Sequence, residues 1–438
     1  MKRICPWLIL PALLLAPCLL VAESSTGGEP MVDWSPAQKL PHWLQLRGQI
    51  RGRFEAPSGT SILSGSSDPY FLSRIRLDLG IRATPWLRFF AEGQDARSTG
   101  YITSPAPNAI YNPMDLRQAY VSVGGEGTRG IVVTAGRQEL LFGGERLIGP
   151  ADWGMSRTFD AARLTLNRGH ARVDLFEGSS VLIDSTRFDR HKPGEHIYGA
   201  YGSIKDPLPN LTVEPYLLFK QTLAVKSETG KTGDALVASP GVRLVGKAPG
   251  RLDYTTEIAV QRGSYSTDRI AALGQSYVTG WTIVPVKLAP RVSVEYNQAS
   301  GDPSSKDGTR NTFDQFYPSN HSYYGMIDQF GWKNLKNWRA GFDCKITKKL
   351  KLRTDFNEFY LATVQDALYN SSGASAVVNR KATSGHIGSE INTVGLYQWT
   401  KLWKFGAGYG RLFAGEFLKQ SKADFGYTYP YLMFAGNF

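Results

Sequence analysis

Cysteine and histidine are scarce in this sequence. Of three cysteines, Cys5 and Cys18 lie near the start, and Cys344 stands alone in the rest of the chain. A single thiol cannot form an intramolecular disulfide, so other interactions must stabilise the fold. The six histidines show no metal-ligand spacing: His42, His170, His191, His196, His321 and His386. We therefore expect no metal site and no cofactor.

Residue patterns typical of hydrolases are also missing. A serine hydrolase needs a nucleophile and a base whose side chains face each other. His321 and Ser322 are adjacent in the sequence, so they cannot be aimed together in this way. Asp302 and Asp307 lie in a short acidic stretch that lacks the dense oxygen spacing of a calcium loop. The sequence predicts no catalytic residues and no enzyme activity.

A long apolar run occurs only at the start of the chain. After residue 24 no stretch of about 18 apolar residues follows, which argues against membrane-spanning helices. Residues 1–24 have the features of a secretory signal, with Lys2 and Arg3 ahead of an apolar segment. The alternative is a lipoprotein anchored through Cys18, which the proline directly before it disfavours. We expect a cleaved signal peptide over 1–24.

Basic residues outnumber acidic ones. Loss of Lys2 and Arg3 with a signal cleaved after Ala22 reduces 50 basic residues to 48, against 38 acidic residues, a formal charge of +10. An excess of this kind often indicates solubility or a nucleic-acid patch. An exported chain does not normally meet nucleic acid, so we expect no such partner.

Apolar and polar residues alternate strictly from Trp43 onward. One set of alternate positions holds apolar residues and glycine: Leu44, Leu46, Gly48, Ile50, Gly52 and Phe54. The other set is polar: Gln45, Arg47, Gln49, Arg51, Arg53 and Glu55. The same division returns around residues 74–82, 252–261, 291–297 and 337–346. A period of two predicts strands with one apolar and one charged face.

The predicted strands are long. They run for about ten residues or more, whereas strands of soluble proteins have about five or six. A bilayer requires tilted strands of about 9 to 11 residues. Eighteen segments fit: 43–55, 70–83, 86–97, 115–124, 130–140, 157–167, 170–178, 195–205, 210–221, 238–247, 251–262, 273–284, 290–300, 336–347, 350–362, 386–397, 402–413 and 425–438.

The lengths of the connections alternate as well. Those after even-numbered segments are short: 84–85, 125–129, 168–169, 206–209, 248–250, 285–289, 348–349 and 398–401. Those after odd-numbered segments are mostly long: 56–69, 98–114, 141–156, 179–194, 222–237, 301–335 and 363–385. Short periplasmic turns opposite long external loops are typical of outer-membrane barrels.

These patterns predict an all-β fold, a transmembrane antiparallel β-barrel of about eighteen strands over 43–438 in the bacterial outer membrane. Residues 25–42 would form an N-terminal periplasmic segment. An even strand count lets the first and last strands pair, which removes the unpaired edges. Phe438 ends the last amphipathic segment, which is the kind of signal that barrel assembly machinery reads. We therefore expect this machinery and outer-membrane lipid as partners.

Aromatic residues lie near the predicted strand ends: Trp43, Trp86, Trp281, Trp338, Trp403, Tyr427, Tyr429 and Tyr431. Interfacial girdles of an outer-membrane barrel would place them there. Ordinary strand propensity is the alternative explanation. We expect girdles.

The predicted inner face is rich in arginine. An eighteen-stranded barrel is too wide for side chains to fill, so a channel remains unless loops plug it. The inward positions hold Arg47, Arg51, Arg53, Arg74, Arg76, Arg82, Arg88, Arg163, Arg172, Arg291, Arg339 and Arg353. Arginines in a pore favour anions and bind carboxylates through two parallel hydrogen bonds. This set predicts an anion-attracting lumen.

The same arginines could instead pair with inward carboxylates and brace the wall. Candidate partners are Asp78, Glu92, Asp174, Glu214, Glu257, Glu295, Asp343, Asp355 and Glu390. We expect both roles, each for different arginines, with an excess of positive charge over the lumen as a whole.

Several motifs resemble the alginate export family of outer-membrane barrels. They are AEGQDAR (91–97), DLRQAY (115–120), GRQEL (136–140) followed by GERLIG (144–149), RTFDA (157–161), VEYNQASGD (294–302) and TFDQFYP (312–318), with His321, Tyr323, Tyr324, Gly325 and Asp328 after them. The resemblance covers nearly the whole chain after the signal. It implies an eighteen-stranded barrel with an arginine-lined passage for an anionic polysaccharide.

The resemblance also implies that Arg137, Arg146 and Arg157 contribute to the pore or its constriction, because they lie inside matching motifs. The register of the fifth strand is ambiguous, since either Thr134 and Gln138 or Ala135 and Arg137 would point inward. The inward placement of Arg137 depends on that choice.

Three functions compete at this point. The first is passive export of an anionic polysaccharide such as alginate, with periplasmic export components as further partners. The second is a substrate-selective porin for small anionic solutes. The third is a plugged barrel that serves as a structural or assembly platform. Which function applies depends partly on whether 301–335 or 363–385 folds into the channel.

Overall fold

The computed structural model describes residues 40–438 apart from 60, 64, 66, 68, 101–109, 126, 284–287 and 289. The predicted signal peptide and almost all of the predicted periplasmic segment lie outside the described residues. Eighteen long strands form the barrel: β1 (Leu44–Glu55), β2 (Tyr70–Thr84), β3 (Leu87–Thr99), β4 (Asn112–Gly124), β5 (Arg129–Gln138), β6 (Phe159–Arg168), β7 (Ala171–Leu182), β8 (Glu195–Lys205), β9 (Leu211–Lys226), β10 (Thr232–Ala248), β11 (Leu252–Tyr265), β12 (Asp268–Thr282), β13 (Arg291–Ala299), β14 (Leu335–Lys345), β15 (Leu350–Leu361), β16 (His386–Gln398), β17 (Trp403–Ala414) and β18 (Tyr427–Asn437).

The sheet closes on itself. Each strand pairs antiparallel with the next, and β1 also pairs with β18, where Gln49 lies opposite Asn437 and Glu55 opposite Tyr431. Closure gives the edge strands partners, as a lipid environment requires. The predicted eighteen-stranded antiparallel barrel is confirmed.

Most strand boundaries agree with the sequence pattern to within three residues, and the larger differences occur at β7, β9, β10 and β12. β7 ends four residues and β9 five residues later than predicted. β10 begins at Thr232 and β12 at Asp268, five or six residues earlier than predicted. Glycine, alanine and threonine obscure the alternation of polar and apolar residues there, but the hydrogen-bonded pairing of the strands continues. The predicted long connection over 222–237 is therefore wrong, and a turn of five residues joins β9 to β10.

The barrel is apolar outside and polar inside. Large apolar side chains are exposed on the outer wall, including Leu77 at 59% and Ile131 at 61% of their full area. Polar side chains on the inner wall are buried, among them Gln49, Glu257 and Asn357. A water-soluble protein has the reverse distribution, so the outer wall is suited to lipid.

The long loops after β5 and β13 fold into the barrel. The 139–158 loop and the 300–334 loop contain fully buried apolar residues, such as Leu140, Tyr324 and Trp332. These residues pack against inward side chains of the wall, including Phe159 and Phe359. The hydrophobic core of the protein therefore lies inside the barrel, between the wall and these loops.

The two inward loops also bind each other. Ile148 and Tyr317 form a parallel bridge, in which the Gly149 amide donates to the Tyr317 carbonyl and the Tyr317 amide to the Leu147 carbonyl. The Ser319 hydroxyl donates to the Glu145 carboxylate at 2.6 Å. The two loops thus form one unit, which we call the inner plug.

The outer end of the plug is covered by the loops after β15 and β17. Within 362–385, a small hairpin pairs Leu368–Tyr369 with Ser375–Val377, and the Gly331 amide of the plug donates to the Tyr369 carbonyl. A helix that the alternation does not predict, α1 (Glu416–Gln420), buries two of its apolar side chains nearby. Within the described residues, no helix is both long and apolar enough to cross a membrane.

The aromatic residues divide between the two faces. Trp43, Trp86, Trp281 and Trp338 are about half exposed on the outer wall, which agrees with a girdle. Tyr427, Tyr429 and Tyr431 are buried and face inward, so the girdle prediction is wrong for them. Aromatic residues occupy both phases of β18, and the alternation alone could not decide which phase points outward.

Candidate functional site

Arginines of β1 and β2 lie side by side on the inner wall. Arg51 is directly opposite Arg74 in the ladder, and Gln49 is opposite Arg76. Arg74 and Arg76 are buried, although they carry like charges close together. Like charges directly opposite one another destabilise a strand pair unless an anion lies between them. We call Arg51, Arg74 and Arg76 the arginine triad.

The anion is the carboxylate of Asp152, from the 139–158 loop. Its Oδ1 accepts hydrogen bonds from Arg74 at 2.8 Å and from Arg76 at 2.7 Å, and its Oδ2 accepts one from Arg74 at 3.1 Å. Arg51 lies 3.9 Å from Oδ2. Burial would raise the pKa of Asp152, but the three guanidinium groups hold this pKa well below its usual range. The carboxylate is therefore ionised at neutral pH.

Trp153 fixes the loop beside the triad. Its carbonyl accepts from Arg53 at 2.5 Å, and the Arg53 guanidinium lies 4.0 Å from the centre of its ring. The ring stacks on His321 of the plug, with centroids 4.2 Å apart and planes 9° apart. Its Nε1 donates to the Tyr429 hydroxyl at 3.1 Å. Burial first, and Arg53 second, lower the pKa of His321 to about 3, so its ring is neutral at pH 7.

A row of tyrosines borders the triad along β18. Tyr427, Tyr429 and Tyr431 point inward at alternate positions. The neighbouring strand β17 makes room for them with inward glycines. A Cβ atom at Gly408 would lie 2.1 Å from the ring of Tyr431. The inner wall here combines cationic and aromatic side chains.

Arg146 joins the plug to the opposite side of the wall. Its Nη2 donates to Glu295 of β13 at 2.6 Å, and its Nη1 donates to the Tyr324 hydroxyl at 3.1 Å. The guanidinium lies 3.8 Å from the centre of the Tyr323 ring. Arg339 of β14 approaches the same Glu295 at 3.6 Å. Arg146 is thus a buried contact of the plug.

Several of the predicted lumen arginines pair with carboxylates on the same strand or on a strand one or two positions away. Arg291 contacts Asp253 at 2.6 Å, and Arg339 contacts Asp355 at 3.1 Å. Arg353 and Arg172 make comparable pairs with Asp355 and Asp174. These arrangements agree with the bracing role that the sequence left open.

The other predicted arginines lie in three settings. Arg47, Arg82 and Arg88 are on inward positions near the short turns, with Arg82 exposed and lying opposite Arg88. Arg163 is inward on β6, within the electrostatic reach of Asp174. Arg157 donates to the Gly149 carbonyl at 2.9 Å and so belongs to the plug.

Arg137 lies on the outer phase of β5, contrary to the expectation. It shares this phase with the exposed Ile131 and Val133, whereas Thr134 and Gln138 are buried on the inner wall. Arg137 pairs with Asp160, directly across on β6, at 2.8 Å. We therefore leave Arg137 out of the inner-wall set.

The sequence pattern missed two inward arginines. Arg117 of β4 is buried and pairs with Glu92 and Glu139. A β-bulge shifts the register there, so that Arg117 and the adjacent Gln118 are both buried, which alternation cannot predict. Arg243 of β10 binds Glu214 at 2.6 Å. It lies in a segment where apolar residues occupy both phases.

The inner wall is electrically uneven. The sector from β1 to β4 holds Arg47, Arg51, Arg53, Arg74, Arg76, Arg82, Arg88 and Arg117, against Glu55, Asp78, Glu92 and Asp115. Elsewhere arginines and carboxylates are more nearly matched. Among the described residues, no group of three or more histidine, cysteine or acidic side chains is placed to hold a metal ion.

The barrel is similar to known outer-membrane porins. The chain matches OccK11 (OpdR) of Pseudomonas aeruginosa with a TM-score of 0.60 and 13% identity, over 90% of this chain and 95% of that one. For OccAB4 of Acinetobacter baumannii the TM-score is 0.58 and the identity 11%, over 92% and 100% of the two chains. At such identities the likeness establishes the fold. Among curated proteins, no relative has a significant sequence match.

A family model described as alginate export matches residues 42–426, which is most of the chain. The match includes the barrel strands up to β17 and both loops of the plug. Together with the closed barrel, its apolar outer wall and the porin neighbours, it identifies an outer-membrane channel of bacteria. The chain belongs to the alginate export family.

Proposed function

We propose that this channel passes an anionic polysaccharide such as alginate out of the periplasm, along the arginine-rich sector of β1 to β4. The observation that carries the proposal is the arginine triad, three guanidinium groups gathered around one carboxylate. Asp152 supplies one negative charge, and Glu92 reaches Arg76 only at 3.9 Å, so the triad keeps an excess of positive charge, which attracts anions. The planar fork of arginine matches a carboxylate, the charged group of such a polymer.

The spacing of the arginines supports this route. Inward positions on a strand recur every second residue, about 7 Å apart. Arg47 and Arg51 on β1 are four residues apart, about 13 Å, and Arg76 and Arg82 on β2 are six residues apart, about 20 Å, so they form widely spaced steps from the short turns up to the triad. A polymer with repeated carboxylates would exchange one guanidinium for the next as it moves. Because this movement needs no chemical step, the proposal assigns no catalytic residue.

A porin for small anionic solutes is the second candidate. The inner plug favours it, because two loops packed across the barrel leave less room for a polymer than for a small solute. Export of a polymer would require the plug to move. The platform function would instead require the plug to stay closed to ions.

Reversal potentials in planar bilayers under a salt gradient test the proposal. The wild-type channel should prefer anions. The Arg74→Ser, Arg76→Ser and Arg82→Ser variant, combined with Asp152→Asn to avoid an isolated carboxylate, should lose most of this preference. The matched control changes three exposed arginines, Arg97, Arg168 and Arg187, to serine.

The outcomes separate the candidates. Unchanged reversal potentials in the variant with Arg74, Arg76 and Arg82 replaced would contradict the role of the arginines. Block of the current by uronate oligomers favours the exporter, whereas passage of small anions without such block favours the porin. A barrel that conducts no ions would support the platform. The signal peptide, the assembly machinery and periplasmic export partners stay predictions from the sequence.

A further inference from the structure

The apolar band of the outer wall is not equally tall all around the barrel. On β14 the outward side chains are apolar from Trp338 to Ile346, a stretch of nine residues. On β5 they are apolar only from Ile131 to Ala135, a stretch of five, because the next outward side chain is Arg137. The band is therefore shorter on the side of the barrel that β5 forms.

The two strands that follow β5 are also charged on the outside. On β6, the outward Asp160 pairs with Arg137 at 2.8 Å. On β7, the exposed Glu177 follows the outward Val173 and Leu175. All three charges lie toward the strand ends that carry the long extracellular loops. Because a bilayer needs tilted strands of about 9 to 11 residues, a shorter apolar stretch draws the polar headgroups of the outer leaflet down toward these charges.

The loop after β7, residues 183–194, lies at the rim beside these charges. The carbonyl of Asp189 in this loop accepts from Arg137 at 3.0 Å, so Arg137 connects the loop to the outer wall. The loop extends further, to β4. There the Asn112 side chain donates to the Asp189 carboxylate at 2.9 Å, and the Asp189 amide donates to Asp115 at 2.7 Å. The loop is thus held against the rim of β4 and β5.

Several side chains near the tip of this loop are exposed. Phe188 is exposed at 72%, and the side chains of Arg187 and Lys192 at 63% and 48%. Among the described residues, Arg187 is bound only by Asp184, through Nε at 2.5 Å, and the exposed Arg190 has no ion-pair partner. Basic side chains around an exposed aromatic ring are typical of segments that bind an anionic membrane surface.

We propose that the 183–194 loop, together with Arg137, binds the headgroup of an outer-leaflet glycolipid that carries phosphate on a sugar, as lipopolysaccharide does. The forked guanidinium groups of Arg187 and Arg190 match phosphate oxygens. Phe188 lies at the level where the acyl chains of such a lipid begin. The proposal concerns the outer wall, so it does not depend on which solute the channel passes.

The charge of the loop argues against a second copy of the chain as the occupant. The loop contains Arg187, Arg190 and Lys192 against Asp184 and Asp189, an excess of one positive charge. A two-fold contact brings the same patch of both copies together, so their basic side chains would face each other. An anionic headgroup instead supplies the opposite charge.

Native mass spectrometry of the full-length channel in detergent tests the proposal, with lipid A, an acylated and phosphorylated disaccharide, as the probe. The loop variant combines Arg187→Ser, Arg190→Ser and Lys192→Ser. It should bind lipid A about a hundredfold more weakly than the wild type, since each basic side chain near an anionic lipid surface is worth about fivefold in affinity. Phe188→Ser provides a second variant, which should also bind more weakly because it loses an apolar contact.

The matched control changes Arg251, Lys348 and Lys401 to serine, which removes the same charge from short turns at the other end of the barrel. It should bind lipid A as the wild type does. Lipid A without its phosphates should bind weakly to every protein, and inorganic phosphate should not displace lipid A. The heat-dependent shift of the barrel on a denaturing gel verifies folding of each variant.

Equal affinities of the wild type and both folded variants for lipid A would overturn the proposal, as would equal binding of lipid A with and without its phosphates. Displacement of lipid A by inorganic phosphate would assign the basic side chains to a free anion. Dimers that disappear in the loop variant would assign the surface to a second copy. Either of these last two results also overturns the proposal.

Discussion

Removal of Arg146 should release the inner plug. Arg146→Ala deletes the buried contact to Glu295 at 2.6 Å and the stacking on Tyr323 at 3.8 Å. Breaking a buried pair costs about 3–5 kcal/mol, and the low end applies because Arg339 still neutralises Glu295. Loss of the desolvated cation–π contact adds about 1 kcal/mol. The docked plug should therefore lose about 4 kcal/mol.

A loss of this size changes the ratio of docked to released plug by nearly a thousandfold. Limited trypsin cleavage of the folded protein measures this ratio, because cleavage follows the population of the open form when opening is fast. Arg310 and Lys333 in the 300–334 loop, which are only partly exposed while the plug is docked, are the expected new cleavage sites. The barrel itself should stay folded, since the strand ladders do not depend on Arg146.

Arg187→Ala is the control for this experiment, because it removes an arginine from an exposed pair with Asp184. Its rate of cleavage within the plug should equal that of the wild type. If Arg146→Ala were also cleaved at the wild-type rate, Arg146 would not hold the plug in place. The current of single channels should become larger or noisier in Arg146→Ala and stay unchanged in the control.

Two further predictions concern the plug and its wall. Because burial lowers the pKa of His321 to about 3, His321 stabilises the docked plug fully above about pH 6.5 and less as the pH falls toward 3. Asp328, whose pKa burial raises to about 7, acts in the opposite direction, so the wild type is compared with His321→Gln. When the pH is lowered from 7 to 5, trypsin cleavage should rise about 30-fold more in the wild type than in His321→Gln. An equal rise in the two proteins would refute the role of His321. Gly408→Ala should lower the unfolding temperature, because the new Cβ meets a tyrosine ring at 2.1 Å at a cost of about 1–3 kcal/mol. Gly395→Ala should leave the unfolding temperature unchanged, because its new Cβ meets no atom within 4 Å. Equal unfolding temperatures for the two variants would contradict the packing argument.

The strands could be predicted from the sequence because each one faces two different media. Lipid on one side and polar groups on the other impose alternation along nearly every segment, so the strand number and most boundaries agree. The inner plug could not be predicted in this way. Arg146 and Tyr324 are 178 positions apart, and their loops have no periodicity that would show them facing each other.

The candidate site was predicted in part for the same reason. Arg51, Arg74 and Arg76 lie on β1 and β2, where polar and apolar residues alternate regularly, so the alternation predicts that their side chains point inward. Asp152 lies in an irregular loop, where nothing in the local sequence indicates its partner. The inward placement of Arg117 was not predicted, because a β-bulge interrupts the alternation there.

Closure of the barrel has a consequence for its assembly. Residues 49–55 pair with residues 431–437, the first strand with the last. The pairing of β1 with β18 therefore cannot form before the last strand of the chain is in place. An unpaired strand edge can pair with other chains. Pairings between residues so distant in the sequence are also slow to form. Closure removes the unpaired edges from the finished barrel. A partly assembled barrel still has them, and it must be protected from pairing with other chains until the last strand is in place.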